Sequence, residues 1–69
     1  MRIEYSYDLY NEYGRVEGKK INEVYYNEVI DSNFKLVKEW KTKFKRSVLY
    51  AKQYELDNGY ILFIWKEVF

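Results

Sequence analysis

The chain has no histidine, no cysteine and no proline, and only three glycines, one methionine and one alanine among its 69 residues. Without histidine the commonest general base and metal ligand is gone. Without cysteine there is no thiol chemistry and no disulfide, and with both residues missing there is no zinc site of the usual kind. The scarcity of glycine and proline argues against a disordered chain or a flexible linker. No apolar stretch approaches the roughly 18 residues of a membrane-spanning helix. The N-terminus does not read as a signal peptide, because Glu4 and Asp8 interrupt what would be its apolar core. The expectation is a cytoplasmic chain.

Other catalytic signatures are absent too: no glycine-rich phosphate loop, no nucleophile elbow, no zinc spacing. Carboxylates remain. Glu23, Glu28 and Asp31 lie close in sequence, as do Glu55 and Asp57. Such groups can hold Mg²⁺ or form a glycosidase pair. Both groupings sit beside turn signals, where acids serve solubility. The sequence therefore reads as a non-enzyme with no cofactor and no metal.

What the chain does have is aromatic and β-branched. Nine Tyr, four Phe and two Trp make 22% of it, and six Val and five Ile stand against five Leu and a single Ala. These residues favour strands. A chain of this size makes one domain, 1–69, with a folded surface of roughly 4,700 Å² against about 12,500 Å² unfolded. Its stability must come from dense aromatic packing.

Ile3, Tyr5, Tyr7 and Leu9 alternate with Arg2, Glu4, Ser6 and Asp8, the pattern of a strand with one wet side. Asn11-Glu12-Tyr13-Gly14 reads as a turn, and Arg15-Val16-Glu17 begins a return strand that Gly18 interrupts as a bulge or second turn. Residues 21–30 fit either period. Adjacent β-branched and aromatic residues favour a strand there. Asp31-Ser32-Asn33 then serves as a hairpin loop or a helix cap.

Residues 34–46 also admit two readings. Period two puts Phe34, Leu36, Trp40, Thr42 and Phe44 on one face, with Val37 as the exception on the lysine side. Period 3.6 gives a stripe of Phe34, Val37, Trp40 and Phe44. We favour a strand that breaks between Lys41 and Ser47. Two further runs flank Asp57-Asn58-Gly59, a hairpin signal in which both Asn58 and Gly59 accept positive φ. The unbroken run Ile61 to Trp65 suits a central strand covered on both faces.

The expected fold is all-β: a small antiparallel meander of about five strands (near 2–10, 15–30, 34–41, 47–56 and 60–68), as a curled sheet or partly open barrel. The alternative is α+β, with one helix near 33–46 on an antiparallel sheet. Tyr7 to Arg15 is similar to the strand–turn–strand unit of tyrosine-aspartate repeat proteins over nine residues, with no recurrence at a fixed period, and implies no more than a hairpin.

Three surfaces are candidates for function. Tyr5, Tyr7, Tyr10, Tyr13, Tyr25 and Tyr26, with Glu12, form a tyrosine- and acid-rich set suited to docking on a protein partner. Residues 1–33 carry a net −3 and residues 34–69 a net +4, which marks either a binding face or two halves that neutralise one another. Lys35, Lys38, Lys41, Lys43, Lys45 and Arg46 surround Trp40 and Phe44, a mixture that can grip single-stranded nucleic acid, or a solvated face guarding an edge strand. The last strand, Tyr60 to Phe69, would support a homodimer by strand addition if it lay at an edge. A small chain with this inventory resembles in kind the inhibitors that phages and viruses direct at host or defence complexes, anti-CRISPR proteins among them. That resemblance implies a non-enzymatic protein that blocks a partner, with nucleic-acid binding and self-association as alternatives.

Overall fold

A computed structural model describes all of residues 1–69. The elements are β1 (Ile3–Asn11), β2 (Gly14–Ile21), α1 (Glu23–Ile30), β3 (Lys35–Lys43), β4 (Val48–Glu55) and β5 (Ile61–Val68). The five strands form one antiparallel sheet in the order β2-β1-β5-β4-β3. The fold is the expected small five-stranded antiparallel sheet. It stays open: β2 and β3 are its two edges and are not joined into a barrel. A β1–β2 hairpin and a β3–β4–β5 meander are held together by the pairing of β1 with β5.

This topology explains why 21–30 is not the strand that its composition favours. The chain leaves β2 at one edge and must enter β3 at the other, four strand spacings or roughly 19 Å away. Helix α1 makes that crossing over one face of the sheet. Asn22 caps it: its side-chain carbonyl accepts the Tyr25 N–H at 2.8 Å, and Glu23 sits in the positive first turn. The side that meets the sheet carries Tyr25, Tyr26, Val29 and Ile30, at i, i+1, i+4 and i+5. Tyr7, Val29, Tyr54, Leu62 and Ile64 form the buried centre, with Leu9, Ile21, Tyr26, Ile30 and Leu56 around it.

The helix alternative at 33–46 is not what forms; that segment is β3. Its anomaly, Val37, has a structural cause. The register slips between Leu36 and Lys38, so Val37 is a bulge. The slip exchanges the faces: Leu36 lies opposite Tyr54 on the helix side, whereas Trp40 lies opposite Ala51 on the other side. The expected single face of Phe34, Leu36, Trp40, Thr42 and Phe44 is thereby split. A matching slip between Leu9 and Tyr10 leaves Val16 as the extra residue of β2. Gly18 is therefore neither bulge nor turn. It pairs with Asp8 inside the strand, and a Cβ there would collide with the Asp8 carboxylate.

The turns carry a smaller correction. Gly14 and Gly59 take positive φ (124° and 85°), but no other residue does. Asn58 thus keeps negative φ. The Gly59 N–H reaches the Leu56 carbonyl at 2.9 Å, and Leu56 N–H reaches the Tyr60 carbonyl at 2.8 Å, the pattern of a turn closed by a glycine bulge. Strand β5 is central, as its sequence implies, and both its edges are paired. It therefore offers no free edge for a homodimer; strand addition would fall to β2 or β3. Nor is β5 covered by a second element on both faces, because α1 lies on one side only.

Candidate functional site

The expected tyrosine face does not assemble. Tyr5 packs on Tyr26 with ring centroids 4.8 Å apart, and Tyr7 stacks on Tyr25 at 6.0 Å, so these four build the helix–sheet interface. Tyr7 is 7% exposed. Tyr13 and Glu12 are exposed at the β1–β2 turn, and Tyr10 points to the opposite side of the sheet, against Phe63 at 5.6 Å.

The basic segment divides as well. Lys35 and Lys38 pair with Glu55 and Gln53 on the side away from the helix, together with Trp40. Lys41 and Lys43 pair with Tyr50 and Val48 on the helix side. Lys45 and Arg46 lie in the β3–β4 turn. No group of three or more acidic side chains is placed to hold a metal ion.

What the structure brings together instead is an aromatic platform on the side of the sheet that α1 leaves open. Tyr10 meets Phe63 edge to face; Phe63 stacks along the strand on Trp65 at 5.7 Å; Trp40 meets Trp65 edge to face at 5.8 Å and Phe63 at 6.3 Å. These are favourable ring geometries. The one alanine of the chain explains how two tryptophans fit. Ala51 is the register partner of both Trp40 and Trp65, and it is 1% exposed because the two rings close over it.

Three acidic side chains around this platform, Glu4, Asp8 and Glu67, are engaged, whereas Lys35 and Lys38 make no ion pair. Asp8 accepts the Trp65 indole N–H at 2.9 Å and lies 3.5 Å from the Arg15 guanidinium. Lys20 approaches Glu4 at 3.5 Å, Ser47 donates to Glu67 at 2.7 Å, and Lys35 faces Glu55 across the ladder. The Lys38 ammonium sits over the Trp40 ring, 5.3 Å from its centroid. The platform is therefore aromatic at its centre and polar at its rim, where both signs of charge are present.

Sequence reading missed Phe63, Trp65, Asp8 and Ala51. A signal existed: Glu4, Ser6 and Asp8 mark one side of β1 as wet, and the strand beside it must share that side. Phe63 and Trp65 belong there, not in a two-sided core.

The helix side has different electrostatics. Burial pulls the Lys52 ammonium down, but the Glu39 carboxylate at 3.2 Å, with help from the Tyr54 and Tyr26 phenols, outweighs it and leaves this lysine above its ordinary value. Burial raises the Tyr26 and Tyr54 phenols. No helix is long and apolar enough to cross a membrane. No protein-family model, no curated protein and no solved structure matches this chain.

Proposed function

We propose that the protein is a non-enzymatic binding module that docks the open aromatic face of its sheet on a protein partner and blocks the surface it covers. The observation that carries this reading is the contiguous group Tyr10, Phe63, Trp65 and Trp40 on a face with no covering layer. Tryptophan and tyrosine dominate the energetic centres of protein interfaces, and a polar rim that excludes water normally surrounds them. The rim mixes Glu4, Asp8, Glu55 and Glu67 with Arg15, Lys20, Lys35 and Lys38, which favours a protein over nucleic acid on this face, because the carboxylates repel a phosphate backbone. Docking without chemistry is also how small phage and virus inhibitors of host or defence complexes would act.

The test is site-specific photocrosslinking in extract of the cells the protein comes from. A benzophenone side chain at Gln53, on the platform, should capture one defined protein; the same group at Val24, on the outer side of α1, should not. Trp40→Ala and Phe63→Ala should each weaken the capture by roughly 30-fold or more while far-UV circular dichroism is unchanged. Equal capture from Val24, capture that survives both substitutions, or a second copy of this chain as the main product would overturn the reading.

A further inference from the structure

On the helix side, beyond the end that α1 covers, the register sets Lys41, Tyr50 and Lys66 side by side across β3, β4 and β5. Lys43 follows two residues along β3 on the same face. None of these three lysines takes part in an ion pair; Lys52 does, with Glu39. The Tyr50 ring is 41% exposed, with the Lys66 ammonium 6.0 Å from its centroid. Between Tyr26, Tyr50, Lys52 and Lys66 lies a depression of about 350 Å³. The β3–β4 turn at this end of the sheet adds Lys45, Arg46 and an exposed Phe44.

We propose that this surface binds single-stranded nucleic acid, independently of the aromatic face on the other side. Unpaired cations spaced along and across strands give phosphates several partners, and the one carboxylate in the neighbouring row of this face, Glu39, is engaged by Lys52 at 3.2 Å. Tyr50 offers a flat ring between two of them on which a base can stack, and the depression beside Tyr26 has room for that base. Charge that tracks a backbone with rings that take bases is the general solution for single strands.

The test is fluorescence anisotropy with labelled oligo-dT and oligo-U of about twelve nucleotides, from about 20 to 200 mM NaCl, with phosphatidylserine vesicles as a parallel arm. Four phosphate contacts should give a log–log salt slope near −2.8, at roughly 0.7 per contact on single strands. The double variant Lys41→Glu/Lys66→Glu should lose at least about tenfold in affinity and shed about 1.4 from the slope. Tyr50→Ala should lose about fivefold or more with the slope kept, because stacking releases no counterions. Trp40→Ala, on the other face, should bind like the wild type, so failure here and failure of the docking reading are separable. Absence of binding at about 20 mM NaCl, undiminished binding by Lys41→Glu/Lys66→Glu, a loss for Trp40→Ala equal to that for Tyr50→Ala, or equal affinity for the vesicles would overturn the proposal.

Discussion

Tyr7 shows how one side chain can serve fold and charge at once. Its ring is buried in the core and stacks on Tyr25, while its hydroxyl donates to the Glu17 carboxylate at 2.6 Å. That hydrogen bond, and then burial, push the phenol from 10.0 up to about 12. The same bond, reinforced by Lys19, holds the Glu17 carboxyl below its usual 4.5. The signs follow. The folded state keeps the phenolic proton longer than the unfolded chain, so stability is full below pH 10 and falls as pH rises through 10 to 12. The folded state keeps Glu17 ionised to lower pH, so its contribution is present above pH 4.5 and is lost as pH falls below that. Tyr7→Phe removes the first effect and the larger part of the second, leaving that of Lys19, with little change of volume. Thermal melts from acid to alkaline pH should show both limbs shallower in the variant. Part of the alkaline limb persists, because burial also raises Tyr26 and Tyr54. Superimposable profiles would mean that the Tyr7–Glu17 bond does not form in solution.

Elements were legible where one period ruled, and illegible where two competed. The alternation of Ile3, Tyr5, Tyr7 and Leu9 has no helical rival, and β1 runs where the alternation places it. In 21–30, paired neighbours such as Tyr25-Tyr26 and Val29-Ile30 look like strand composition, yet they are the i, i+1, i+4, i+5 edge of an eight-residue helix. The deciding cue was Asn22, one residue before the acidic Glu23, and it stands at a cap rather than within the repeating pattern. The bulges at Val16 and Val37 were unreadable for another reason: a slip of register depends on the partner strand, which local sequence does not name. The candidate site suffered with them, since the slip at Val37 decides which lysines share a face with Trp40. Because α1 is short and Val29 is its only buried residue, the cap should matter. Asn22→Ala should cost about 1 kcal/mol. In urea unfolding this would appear as a lower midpoint with an unchanged slope, since the surface exposed on unfolding stays the same. An unchanged midpoint would show that sheet packing alone holds the helix.

At the scale of the molecule, the charge asymmetry of the sequence survives folding. All four ion pairs stay within their own half: Asp8–Arg15, Glu17–Lys19 and Glu4–Lys20 in the acidic half, Glu39–Lys52 in the basic one. The halves therefore do not neutralise one another through direct pairs, and the cations of the C-terminal half other than Lys52 are in no ion pair. Cohesion is distributed just as unevenly. Only six of 69 residues are buried, and they lie on β1, α1, β4 and β5. Strand β5 is paired on both sides and carries Leu62 and Ile64, the latter fully buried. Strands β2 and β3, at the edges, contribute no buried side chain. Local opening requires breaking one ladder at an edge but two at the centre, and exposes most of the buried apolar surface only at the centre. Native-state hydrogen exchange should therefore rank the amides. Those of β5 and its two ladders, at Ile64, Tyr7 and Ala51, should exchange only on global unfolding. Those of β2 and β3 should exchange faster by subglobal opening, with α1 between. The order matters for both binding surfaces, because Trp40, Lys41 and Lys43 ride on the more labile edge β3, whereas Phe63, Trp65 and Lys66 ride on the rigid centre. A ligand on either surface must tie the edge to the centre. It should slow exchange in β3 more than in β5, and uniform protection across the sheet, free or bound, would contradict that division.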